Sequence, residues 1–224
     1  MIFFEQLGSG FAETVLGIIA LLMALFVAIP FHEFAHAWMA KKQGDYTATA
    51  YRRCTPAAFA HFDIAGFLMM MIFGFGWAKP VPVNPQNFKH GRKSQFLVSI
   101  AGVVMNLLLG IVFLFIYLLI YKIAPEFYVS SVYGEMLFIF LWYSFQINFG
   151  LALFNLLPIY PFDCYNIIDS MCRYDNAYLR FAKRYSYILF ILLIITGIYD
   201  LFYGYVIEKI YYVLFSLFSK ILGL

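Results

Sequence analysis

Charged side chains are scarce in this chain. Asp, Glu, Lys and Arg supply 12% of its 224 residues, where an average soluble domain has about 25%. So few charges cannot cover the surface of a water-soluble protein of this length. The net charge is only +3, which gives nucleic-acid binding no support. Cysteine is sparse as well: Cys54, Cys164 and Cys172 make neither an even set nor a C-x-x-C, so no disulfide framework or structural zinc knuckle is indicated. The amino-terminal MIFFEQLGSGFAET carries Glu5 and Glu13 but no Lys or Arg. The basic start of a cleavable secretion signal is therefore missing, and the first apolar run is expected to be retained. No repeat, low-complexity tract or linker divides the chain, so residues 1–224 read as a single domain.

What the chain has in quantity is apolar surface. Hydrophobic residues make up 64%, with 27 Phe and 18 Tyr, and the mean hydropathy is +0.82. A bilayer is the natural solvent for such a composition, with aromatic rings at both headgroup boundaries. From about Thr14 to Ala40 only His32, Glu33 and His36 interrupt a stretch long enough to cross, since a span needs about 20 residues. Lys41, Lys42, Arg52 and Arg53 follow against the single acid Asp45, which marks a cytoplasmic loop. The next apolar stretch, Ile64 to Ala78, is short, contains Gly66, Gly74 and Gly76, and ends in a second basic loop with Lys79, Lys89, Arg92 and Lys93. Two basic loops on one side require an even number of crossings between them. This stretch is accordingly expected to be re-entrant or partial.

Gln95 to Tyr121 then crosses outward to a loop in which Glu126 and Glu135 face only Lys122. Met136 to about Leu157 returns, and Arg173, Arg180, Lys183 and Arg184 outweigh Asp169 and Asp175 beyond it. Tyr185 to Tyr203 reads as a further outward span, while 204–224 either crosses or lies at the interface. The expected fold is an all-α polytopic membrane bundle of about five or six transmembrane helices. Its core covers about 14–169, and residues 185–224 add C-terminal membrane helices.

His32, Glu33, Phe34, Ala35 and His36 spell H-E-x-x-H inside the first span. Two histidines four apart lie one turn apart on one helix face, where each can offer a ring nitrogen to one zinc. Glu33, next to that face, can take a proton from water whose pKa zinc lowers from 15.7 to about 7. Each ionisable group in a span costs about 2.5–3.5 kcal/mol on insertion scales, so three within five positions point to function. A catalytic zinc needs a third protein ligand and an open position. Asp163 is the best placed, because both it and the histidine pair fall near the cytoplasmic ends of inward-running helices. Pro158 and Pro161 break the helix just before it.

These motifs resemble those of the site-2 protease family of intramembrane metalloproteases. The resemblance rests on HEFAH at 32–36, AGVVMN at 101–106 and NLLPIYPFD at 155–163, and runs from about Ile18 to Asp169. HFDIAG at 61–66 and GFGWAKPVPVNP at 74–85 look like compact bacterial and archaeal members that lack PDZ or CBS domains. The resemblance implies one zinc per chain on His32, His36 and Asp163, Glu33 as catalytic base, and Asn155 bonding substrate backbone or the developing oxyanion; from the residues alone Asn155 reads equally as an amide packing helices together. The family usually has Gly after the aspartate and Pro after the Ala-Gly pair, where this chain has Cys164 and Val103. Cys164 reads either as a competing soft ligand or as a small buried residue. Asn106 reads as a residue of the substrate path or as an amide joining helices. His61 and Asp63 read as a surface pair, lacking the further ligands of a second metal site. KPVPVNP reads as an extended edge for a substrate strand or as a structural turn.

The expected activity is hydrolysis of a transmembrane segment of another membrane protein, in a prokaryotic cell membrane with the metal site toward the cytoplasm. A zinc or proton transporter is the competing reading, although it usually shows paired repeats. A silent relative that only binds membrane segments is the third, and the intact Glu33 argues against it. The topology is testable by labelling single cysteines in sealed vesicles. One placed within 122–135 should react from outside only, and reaction only from the cytoplasmic side would invert the arrangement.

Overall fold

The computed structural model describes residues 11–73, 76–172 and 176–224. Glu5, Gly74, Arg173 and Asp175, used above, lie outside the described residues, as does the start of GFGWAKPVPVNP. Among these residues eleven α-helices follow one another: α1 (Phe11–Lys42), α2 (Thr47–Ala50), α3 (Ala58–His61), α4 (Ile64–Phe73), α5 (Arg92–Ile123), α6 (Pro125–Ser130), α7 (Val132–Asn155), α8 (Asp163–Met171), α9 (Ala177–Arg184), α10 (Ser186–Thr196) and α11 (Ile198–Leu222). Among the described residues there is no strand. The fold is the all-α bundle of a polytopic membrane protein.

Among the described residues four helices are long and apolar enough to cross a membrane: Thr14–Lys42 of α1, then α5, α7 and α11. The shortest, α7, has 24 residues, or about 36 Å at 1.5 Å per residue, against a hydrocarbon core of about 30 Å. Four is fewer than the five or six expected, and Gly197 supplies the reason. It adopts a left-handed conformation (φ 63°) and its N–H bonds to Ile194 O, which ends α10 after 11 residues. The apolar stretch at 185–203 is thereby split, and its second half joins the tail in one continuous helix, α11.

The bundle closes around α5, which packs on α1, α7 and α8. Ala20, Ala24 and Ala28 repeat every four residues on α1 and bring Tyr143 and Ile147 of α7 close. Small side chains of this kind are what lets membrane helices approach without a hydrophobic drive between them. On the far side of α7, Phe145 and Phe149 pack with Leu114 and Leu118 of α5 and with Ile207 and Phe218 of α11. Gly110 makes room for this contact, since a Cβ there would lie 2.6 Å from the Phe149 ring.

The stretch after α1 goes out and comes back. Its helix, α4, has ten residues and reaches about 15 Å, half the apolar thickness. The two limbs meet where Lys79 N–H donates to His61 O at 2.9 Å, and the Trp77 carbonyl lies where a Cβ on Gly66 would stand. His61 and Asp63 are not the surface pair expected. His61 is 1% exposed and its Nε2 donates to Thr55 O at 2.8 Å, while Asp63 accepts from Gly66 N–H at 2.8 Å and caps α4. A helix start in an apolar setting needs such a partner, which is why Asp63 is committed to α4.

Asp45 ties this region to the end of α1. It is fully buried and accepts from Thr47 N–H at 3.0 Å, Thr47 Oγ1, Asn84 N–H at 2.7 Å and Asn87 Nδ2 at 2.8 Å. Burial pushes its carboxyl up, but these donors more than reverse that and hold it below the ordinary carboxylate range. A lowered folded-state pKa gives stability that is complete above the unfolded value, about 3.9, and fades as pH falls through the folded one. Asp45→Ala leaves several buried donors unmet and should cost about 2–3 kcal/mol near neutral pH. Denaturation in detergent should show that cost shrinking as the pH is taken well below 4. A cost unchanged at low pH would mean that the charge on Asp45 contributes nothing.

Candidate metal centre

His32 and His36 lie on the face of α1 that turns into the bundle, 7% and 9% exposed. Opposite them α8 begins with Asp163, brought inward where the chain leaves α7 and turns through Pro158 and Pro161. The three side chains converge. Nε2 of His32 and Nε2 of His36 are 3.0 Å apart, and Asp163 Oδ2 lies 3.3 Å from the first and 3.2 Å from the second. The rings stand nearly perpendicular, at 83°.

The other ring nitrogens are already committed. His36 Nδ1 donates to Val98 O at 2.7 Å, and His32 Nδ1 donates to Asn106 Oδ1 at 2.5 Å. With their protons on Nδ1, both imidazoles turn a bare Nε2 lone pair toward the carboxylate. Asp163 Oδ2 is itself buried without a hydrogen bond. Three groups that can each offer a lone pair thus face one another, a donor set that fits a divalent cation. Among the described residues this is the one cluster of His, Cys, Asp or Glu with metal-binding spacing. Burial pushes the Asp163 carboxyl up, yet the imidazoles facing it, His36 foremost, hold it well below the usual carboxylate range.

Gly102 of α5 makes the convergence possible. A Cβ there would lie 2.4 Å from His36 Nε2 and 2.5 Å from His32 Cε1, so any larger residue would occupy the rings' own space. Glu33 is held differently, its Oε2 accepting from Val81 N–H at 2.8 Å. It lines a cavity of about 370 Å³ together with both histidines, Asp163, Val81, Asn155 and Asn166. KPVPVNP forms one wall through Pro80, Val81, Val83 and Pro85.

The remaining candidates separate. Asn155 lies on the cavity, with Nδ2 donating to Leu151 O at 3.0 Å. Asn106 is fully buried and lies behind His32 instead of lining the cavity, because α5 presents it to α1 and α7 at their crossing. Cys164 is only partly buried and stands outside the three-residue cluster. Burial, with the Asp163 charge beside it, pushes its thiol up. Sequence reasoning missed Asn148, which accepts from Asn106 Nδ2 at 2.8 Å. A polar amide within the apolar run of 136–157 was the available signal.

Comparison with known proteins bears on this site. The chain is 38% identical over 177 residues to YwhC of Bacillus subtilis, provisionally named a zinc metalloprotease, with 79% of this chain and 80% of the relative covered. It is 31% identical over 150 residues to MJ0611 of Methanocaldococcus jannaschii, given the same provisional name, with 67% and 69% covered. It is 25% identical over 163 residues to the zinc metalloprotease MJ0392 of the same organism, covering 73% of this chain and 37% of that longer protein. No family model and no solved structure matches. With identity of this extent spread along most of both chains, and with a zinc-compatible donor set at its centre, the chain belongs to the zinc metalloprotease family of YwhC and MJ0611.

Proposed function

We propose that this protein is an intramembrane zinc protease of the site-2 type, cutting peptide bonds within transmembrane segments of other membrane proteins. The observation that carries the reading is the position of the histidine pair. His32 and His36 stand ten and six residues before the Lys42 end of a spanning helix, or about 15 and 9 Å along it. A protease of soluble chains has no need of hydrolytic chemistry at that depth. The two basic residues closing α1 support a centre toward the cytoplasmic side, and in this reading the membrane is a prokaryotic cell membrane.

In this reading His32 Nε2, His36 Nε2 and an Asp163 oxygen hold one zinc per chain. When bound, zinc supplies Lewis-acid activation of the attacking water and of the scissile carbonyl. Glu33 takes the proton from the water and passes it to the leaving amide nitrogen. The Val81 N–H keeps its carboxylate at the cavity wall. Asn155 has a second amide hydrogen and an oxygen with which to bond the substrate backbone. The substrate helix must unwind first, because its carbonyls are occupied by its own hydrogen bonds, so Gly, Pro or Asn in the target should favour cutting.

Two measurements test the assignment. Alanine at His32, His36 or Asp163 should sharply lower the zinc content of purified protein, and full zinc in Asp163→Ala would remove it from the ligand set. Glu33→Gln keeps shape but cannot accept the proton. It should retain zinc and lose about 100-fold or more of turnover on a reporter membrane helix. Cleavage at the native rate, or products mapping only to soluble regions, would defeat the reading.

A further inference from the structure

Three helices meet at a buried line of amides behind His32, and the proposed chemistry leaves this line unused. Asn148 Nδ2 donates to Ser144 O at 2.7 Å. Asn148 Oδ1 accepts from Asn106 Nδ2 at 2.8 Å, and Asn106 Nδ2 also faces Ala28 O at 3.3 Å. Asn106 Oδ1 accepts from His32 Nδ1 at 2.5 Å. Both amides are fully buried.

An amide can usually be turned over, which would reverse such a chain, but here it cannot. Backbone carbonyls accept and never donate. Ser144 O therefore fixes the Asn148 NH₂ on its own side and turns the Asn148 oxygen toward Asn106. That oxygen and Ala28 O together fix the Asn106 NH₂, which leaves only the Asn106 oxygen for His32. The His32 proton must then stand on Nδ1, and the Nε2 lone pair must point at His36 and Asp163. His36 obtains the same tautomer directly from Val98 O. His32 has no backbone carbonyl in the corresponding place, and two side chains, one from α5 and one from α7, supply the orientation.

We infer that Asn148 is a positioning residue that acts through Asn106 to set the tautomer and aim of His32, and thereby the affinity of the centre for zinc. The inference rests on the zinc reading of the site. Second-shell partners of metal-bound histidines typically contribute 10–100-fold in metal affinity. The two residues act in series. Removing Asn148 leaves only the longer 3.3 Å contact with Ala28 O to hold the Asn106 amide, so the amide turns over more readily and offers His32 a donor, where an acceptor is needed.

The test is zinc affinity by chelator competition in detergent, with the full chain and four variants. Asn106→Ala should weaken binding ten- to a hundredfold and Asn148→Ala by about tenfold. The double variant should be no weaker than Asn106→Ala alone, whereas independent damage to the fold would multiply the losses. Asn148→Asp, neutral when buried, presents the same acceptor to Asn106 and a hydroxyl to Ser144 O, so it should bind zinc more tightly than Asn148→Ala. Native affinity in Asn148→Ala, equal weakening by Ala and Asp, or multiplied losses would overturn the relay. A second readout needs no metal: nitrogen-15 spectra of histidine-labelled, zinc-free protein should show the His32 proton held on Nδ1 in the native chain and shared between both nitrogens in Asn148→Ala. Unchanged tautomers would also overturn it. A native chain that takes up no zinc would instead defeat the proposed function, and the metal-free spectra would still decide the relay.

Discussion

A polar group buried in an apolar bundle must find a partner, and the interior of this protein is arranged around that requirement. Two imidazoles and a carboxylate bring three unshared lone pairs to one point, 3.0–3.3 Å from each other. Left without a cation or a proton, such an arrangement is repulsive, and in surroundings of low dielectric the repulsion is large. Each neighbouring helix answers part of the demand. α5 offers the Val98 carbonyl and the Asn106 amide, and at Gly102 it gives up a side chain altogether so that the rings can meet. α7 adds Asn148 behind them. The close crossing of α1 with α7 over Ala20, Ala24 and Ala28 brings these amides within reach.

The loop side of the centre obeys the same rule with different groups. The segment after the partial helix, KPVPVNP, has three prolines with no N–H to give, and it is held at separate points along its length. Arg53 donates to the carbonyls of Lys79 and Pro80, Glu33 accepts from Val81, and Asp45 accepts from Asn84. Charged side chains thus hold an irregular backbone that lacks a helix's own bonds. Its middle, residues 81–84, is half-buried and borders a cavity, where departures from helical structure are tolerated in a membrane protein. The cavity wall and the proposed base are positioned together as a result.

Several features were legible from residues alone because their physics is local. The spans around 14–40, 95–121 and 136–157 follow from runs of apolar side chains, and their observed limits agree to within a few residues. The histidines at 32 and 36 must share a helix face whatever surrounds them. The break at Gly197 was not visible in this way, since the same residue inside an apolar run can be helical or left-handed. His61 looked like a loop histidine because its partner, the Thr55 carbonyl, is a backbone atom that carries no sequence signal.

What the sequence by itself determined is therefore the solvent, the helical class and the chemistry of the donors. Composition dictates a bilayer environment, and the four-residue spacing dictates a pair of ring nitrogens on one face. What only tertiary structure decided is which groups stand behind those donors and which way their protons point. Asn106 could be read as lining a substrate path or joining helices, and the crossing of α1, α5 and α7 set it behind His32. The reason is physical: a tautomer is chosen by hydrogen bonds between residues 74 and 42 positions apart. Those distances in the chain become contacts only when the helices are packed.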